Sequence, residues 1–173
     1  LTRFRHEAGR GRTQRPREGE HRRRAGHLEV ETHAREGGLD VAGQPGRVGD
    51  TVRALAEVGI EVSLFIGPDE RQVDAAHASG APVIELHTGA FAEAWGTPAA
   101  DAELLRLRRA CERAHALGLT VNAGHGINYD NVRTVMTLPW LHELNIGHAI
   151  VSRALMTGAR TAVSEMKALL RRR

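Results

Sequence analysis

Four short apolar runs, separated by stretches of helical period, constrain this chain more than any other feature. Val62-Ser63-Leu64-Phe65-Ile66, Pro82-Val83-Ile84-Glu85-Leu86-His87-Thr88-Gly89, Leu119-Thr120-Val121-Asn122-Ala123 and Leu144-Asn145-Ile146 read as strands. Between them, apolar positions recur at helical spacing. Val48, Val52, Leu55 and Ala56 mark a first helix that closes near Gly59, and Glu70 to Ser79 a second, with Asp69 as cap and Gly80 as stop. Asp101 opens a long helix that would turn Leu104, Leu105, Leu107, Cys111 and Ala114 inward. Residues 90–100, around Trp95, read as a loop rich in Ala, Gly and Pro. A short helix at Val132, Val135 and Met136 and a closing helical pattern, from Ala149 through Ala154 and Met156 and then from Arg160 to Leu170, complete the order. Apolar strands alternating with helices predict a parallel α/β sheet. Polar residues at the strand C-termini favour a (β/α)8 barrel over a doubly wound fold, and no G-x-G-x-x-G fingerprint marks a dinucleotide site. Four strands are visible where a barrel has eight, so the expectation is about four βα units, the C-terminal half of a TIM barrel.

Two of the runs end alike. Val121-Asn122-Ala123-Gly124-His125-Gly126 and Glu143-Leu144-Asn145-Ile146-Gly147-His148 each close on Gly and His just before a helical segment. Glycine lets a ligand approach the backbone and leaves N–H groups to hold an anion. Histidine, with an ordinary pKa of ~6.5, exchanges protons near neutrality. A single such pair is most often structural. Two on consecutive βα units point to a site.

Charge is unevenly spread. Residues 1–35 hold ten Arg and five Glu, and the rest of the chain carries slightly more acid than base within an overall net charge of +3. The Arg/Gly-rich segment shows neither period, so it is expected to be irregular or disordered and separate from the 36–173 domain. With one aromatic, Phe4, and interspersed glutamates it offers no stacking platform, which makes nucleic acid an unfavoured partner. No apolar run approaches the ~18 residues of a membrane span, and the single Cys111 forms no disulfide framework, as suits a reducing cytoplasm.

At the blocks EGGLDVAGQ (36–44), VSLFI (62–66), GAPVIELHTG (80–89), VNAGHG (121–126), HELNIGHAI (142–150) and SRALMTG (152–158) the sequence resembles pyridoxine 5′-phosphate synthase. The blocks keep the family's order and cover residues 36 to about 170. The resemblance implies a (β/α)8 barrel, an octameric homo-oligomer, and no metal or organic cofactor. It also implies the condensation of 3-amino-2-oxopropyl phosphate with 1-deoxy-D-xylulose 5-phosphate to pyridoxine 5′-phosphate, phosphate and water. By position, His125 matches the proton donor and Glu85 a residue that stabilises the transition state. Gly126, Gly147 and His148 match positions that bind the amino-ketone phosphate. His87, His115 and His142 match no catalytic role.

The family's earlier substrate motif, its His general base with Arg and His phosphate ligands, and its Glu base have no counterpart in residues 1–35. Ala34-Arg35 stands where the family usually has a phosphate-binding Thr. The expectation is a truncated or frame-altered copy, weakly binding and inactive alone. The rival readings are an inactive half-barrel fragment and a basic-armed nucleic-acid-binding protein.

Overall fold

The computed structural model describes residues 2–5 and 37–171. The expected disorder of 1–35 therefore lies outside the described residues, except at Thr2–Arg5. That piece is a strand, β1, paired antiparallel with the last strand of the sheet, which the sequence reading did not anticipate.

The core is a parallel sheet of β2 (Ser63–Ile66), β3 (Val83–His87), β4 (Thr120–Gly124) and β5 (Leu141–Ile146), in the order β1-β5-β4-β3-β2. Helices α1 (Pro45–Glu57), α2 (Glu70–Ala78), α3 (Gly89–Ala94), α4 (Ala99–Ala116), α5 (Val132–Val135), α6 (His148–Thr157) and α7 (Ala159–Leu170) fill the connections. Sequential parallel strands joined by helices are the βα repeat of a partial barrel-like sheet.

Cross-strand register sorts the strand residues onto two chemically different faces. Leu64, Ile66, Ile84, Leu86, Val121, Ala123, Leu144 and Ile146 line one face and are all buried in the hydrophobic core. Leu107, Ala110, Cys111 and Ala114 of α4 belong to the same core, at the i, i+3, i+4, i+7 spacing of a helical stripe. The opposite face carries Phe65, Glu85, Asn122 and Glu143 as one cross-strand row, with His87, Gly124 and Asn145 as the next row toward the strand C-termini. A register shift lets two residues of β5 oppose one of β4, pairing Val121 with Leu141 but Asn122 with Glu143. The bulge keeps Leu141 on the apolar side while setting Glu143 beside Asn122.

Two details depart from expectation. Residues 90–100 are not a loop throughout, since Gly89–Ala94 form α3, whose Phe91 is buried. Leu105 points outward, 48% exposed, because it lies ~200° around the helix from Leu107 and off the buried stripe. The two parts of the closing helical pattern are separate helices that meet at Gly158, whose φ of +81° ends α6 and starts α7.

The Gly37-Gly38 loop behaves as its glycines suggest. Gly38 adopts φ +106°, and a Cβ there would lie 2.8 Å from the Ile66 carbonyl carbon. This close approach lets Leu39 N–H donate to the Phe65 carbonyl at 2.8 Å, so the loop closes over the end of β2. Gln72 of α2 fastens the loop from outside, accepting from Val41 and Ala42 N–H and donating to Asp40. Asp69 caps α2, accepting from Arg71 N–H at 2.8 Å.

Candidate functional site

The sequence-predicted residues collect at the C-terminal ends of β3, β4 and β5. Glu85 lies mid-strand on the polar face and is 7% exposed. Its Oε2 accepts a hydrogen bond from Asn145 Nδ2, two strands away. That reach is possible because the residue between them on β4 is Gly124. A Cβ at position 124 would stand 2.1 Å from Glu85 Oε1 and 3.2 Å from Asn145 Cβ. Gly124 has no left-handed backbone to explain it. It supplies a gap, and the carboxylate and amide meet across it.

His125 follows that gap. It is exposed, in the left-handed region at φ +78°, an arrangement that costs a non-glycine residue free energy and needs support. Support comes from two sides. The buried Thr88 hydroxyl donates to the carbonyls of Gly124, at 2.8 Å, and His125. Gly126, at φ +74°, then lies so close to α3 that a Cβ would come within 2.5 Å of the Ala92 Cβ. Beyond it, buried Asn131 donates to the Gly126 carbonyl at 3.1 Å and accepts from Asn128 N–H at 2.8 Å. The His125 loop is held, not draped.

His125 stacks on His87, with ring centroids 4.6 Å apart and planes 24° from parallel. His87 in turn meets the Phe65 ring edge-on at 5.1 Å, and its Nδ1 accepts from Gly89 N–H at 3.3 Å. Partial burial holds the His87 pKa below the usual imidazole range, and the neighbouring His125 adds to the effect, with Glu93 opposing it. His87 is thus disposed toward its neutral form.

Gly147 and His148 stand one strand over. Gly147 caps α6 and His148 is its exposed first residue. A Cβ on Gly147 would meet nothing within 4 Å, so the approach to the helix start is open. The first-turn N–H groups have no intrahelical acceptor and face the positive end of the helix dipole, which suits an anion. Among the described residues no group of three or more His, Cys, Asp or Glu is placed to hold a metal ion.

A family model described as "Pyridoxal phosphate biosynthesis protein PdxJ" matches residues 29–172. The chain belongs to the PdxJ family. The match starts ahead of the Glu36-Gly37-Gly38 loop and runs through α7, so every residue of the site just described lies inside it. The PdxJ assignment makes this a protein of pyridoxal phosphate biosynthesis at family level.

Sequence reasoning passed over several members of the site. His87 was read as structural and is the stacking partner of His125. Thr88, Asn122 and Asn145 were not singled out. A signal existed for the asparagines, because Asn122 and Asn145 are polar at alternate positions of otherwise apolar strands, the period of one sheet face. No helix among the described residues is long and apolar enough to cross a membrane.

Proposed function

We propose that this PdxJ-family chain carries the C-terminal half of a (β/α)8 pyridoxine 5′-phosphate synthase site. In that reading 3-amino-2-oxopropyl phosphate and 1-deoxy-D-xylulose 5-phosphate condense, with loss of phosphate and water, to close the pyridine ring of pyridoxine 5′-phosphate. The polar face is the lumen of the barrel. One observation carries the reading: within a PdxJ match, the register sets buried Glu85 directly below His87, on which His125 stacks. A carboxylate and a proton donor thus share one mouth.

The roles follow from the chemistry. Ring closure moves several protons around imine and enol intermediates, and His125, exposed at the mouth, is the proton donor. Glu85 stabilises the cationic nitrogen character that develops at the imine. Gly126, Gly147 and His148 hold the amino-ketone phosphate, the last two through the open start of α6. His87, kept toward its neutral form by burial, stacks on the His125 ring and orients it at the mouth.

The test is a chimera in which residues 29–172 replace the matching part of a complete synthase of the family. Pyridoxine 5′-phosphate should form from the two substrates, and His125→Ala should lower the rate by ~10² to 10⁴, the usual worth of a general acid. A chimera that folds and makes no product, or a His125→Ala variant at full rate, overturns the assignment.

A further inference from the structure

His87 has no task in the roles above beyond its contact with His125. It ends β3 on the polar face, level with Gly124, and its ring is partly exposed. The ring is held in one attitude. His125 stacks on it, Phe65 meets it edge-on, and its Nδ1 accepts the Gly89 N–H at 3.3 Å. Gly89 makes the room. A Cβ there would collide with His87 Cε1 and come within 3.1 Å of both ring nitrogens. Gly89 has no left-handed backbone to explain it, so its bare Cα serves the ring and not a turn.

These contacts settle where the imidazole proton lies. A nitrogen that accepts a hydrogen bond carries no hydrogen, so a neutral His87 has its N–H at Nε2. Burial keeps His87 toward that neutral form. Among the described residues Nε2 has no acceptor of its own. What it can take is an oxygen lone pair. A neutral imidazole keeps its proton at neutral pH, so it polarises an oxygen and does not protonate it.

Gly126, one of the phosphate positions of the synthase reading, packs on the same start of α3. A Cβ on it would lie 3.7 Å from Gly89 Cα. A phosphate ester seated at Gly126 is therefore a near neighbour of the His87 ring. Of the groups on the amino-ketone phosphate, its ammonium only donates and is turned away by an N–H, whereas its ketone oxygen only accepts.

Resting on that reading, we infer that His87 is a further catalytic residue of this site, donating Nε2–H to the ketone oxygen of the amino-ketone phosphate beside the proton donor His125. His87 holds and polarises that oxygen, and its own proton stays on the ring. Gly89 is a positioning residue, since it clears the space in which the ring is set.

The probes are 2-oxopropyl phosphate and propyl phosphate, which share the phosphate and differ in the ketone oxygen. They are titrated calorimetrically into the 173-residue chain at pH 7.5 and fixed ionic strength. The wild-type chain should bind the ketone about threefold to tenfold more tightly, the worth of one neutral hydrogen bond. His87→Phe keeps a ring against His125 without the donor and should bring the two affinities toward parity. Gly89→Ala displaces the ring from the other side and should do likewise, which keeps the test intact if one variant fails to fold. The infrared carbonyl stretch of bound 2-oxopropyl phosphate should lie lower in the wild type than in either variant, a polarisation that a merely structural His87 would not produce. Equal wild-type affinities, or a ketone preference and carbonyl stretch unchanged in a folded variant, overturn the role of His87 while leaving the phosphate corner in place. Failure of the wild-type chain to bind either phosphate overturns the synthase reading itself.

Discussion

Thr88 does more for the site than its position beside a histidine suggests. It is fully buried, and its hydroxyl sits against the two carbonyls that flank the left-handed turn at His125. Thr88→Val keeps the shape and removes the donor. The expected result is a stability loss of ~1 kcal/mol in denaturant unfolding, because the His125 carbonyl loses its donor while the Gly124 carbonyl keeps the backbone N–H of residue 88 at 2.8 Å. In the chimera the rate should fall at least about tenfold. His87 supplies a pH prediction. Its folded pKa lies below that of the unfolded chain, so the unfolded state binds more protons between the two values. Its stability contribution is complete above pH ~6.5 and is lost as pH falls through the folded pKa. Urea midpoints from pH 7.5 to 5 should decline less steeply in His87→Phe, which keeps a ring against His125 and cannot titrate. An unchanged slope would remove His87 as the cause.

Among the helices, α4 shows how much of its packing periodicity alone decides. Leu107 is 1% exposed on the buried stripe and Leu105, two residues earlier, is 48% exposed. Leu107→Ala should cost ~2–5 kcal/mol through lost burial and a cavity. Leu105→Ala should stay within ~0.5 kcal/mol. Equal costs, measured by chemical denaturation, would mean that the stripe is misplaced. Cys111 shares the stripe, and burial pushes its thiol up to about 12, in keeping with a packing residue and not a nucleophile. The short α3 escaped notice because Gly89, Thr97 and Pro98 are loop-like residues. Its formation depends on the burial of Phe91 against the α4 side of the core, a tertiary contact.

For the whole molecule, what matters is what covers its apolar surface. On α6, Val151, Leu155 and Met156 are 63%, 83% and 87% exposed, a cluster that water does not favour. β2 ends the sheet, met among the described residues by Gly38 and Leu39 near its C-terminal end. Sheet edges and apolar patches both invite association. The 173-residue chain is expected to sediment as more than a monomer at tens of micromolar, and Leu155→Lys with Met156→Lys should shift it toward monomer. A wild-type monomer at that concentration would show the patch to be tolerated.

Periodicity and turn chemistry were enough to order the four parallel strands and most of the helices between them, though not β1 or α3. The alternation of short apolar runs with helical stripes, the capping Asp69, and the closing glycines all report local preferences that any fold would have to respect. The family blocks likewise point to His125 and Glu85. The contacts between those residues were not legible, because they join positions distant in sequence through cross-strand register. Glu85 meets Asn145 sixty residues away only because β4 lies between them with a glycine at the crossing. His87 meets His125 because β3 and β4 are parallel neighbours with His87 level with Gly124. The bulge that turns Glu143 onto the polar face depends on how β5 lies against β4, and no local pattern announces it. Which residues are strand and helix is set by forces acting over a few residues; which side chains share a site is set by packing, and packing is decided by the whole.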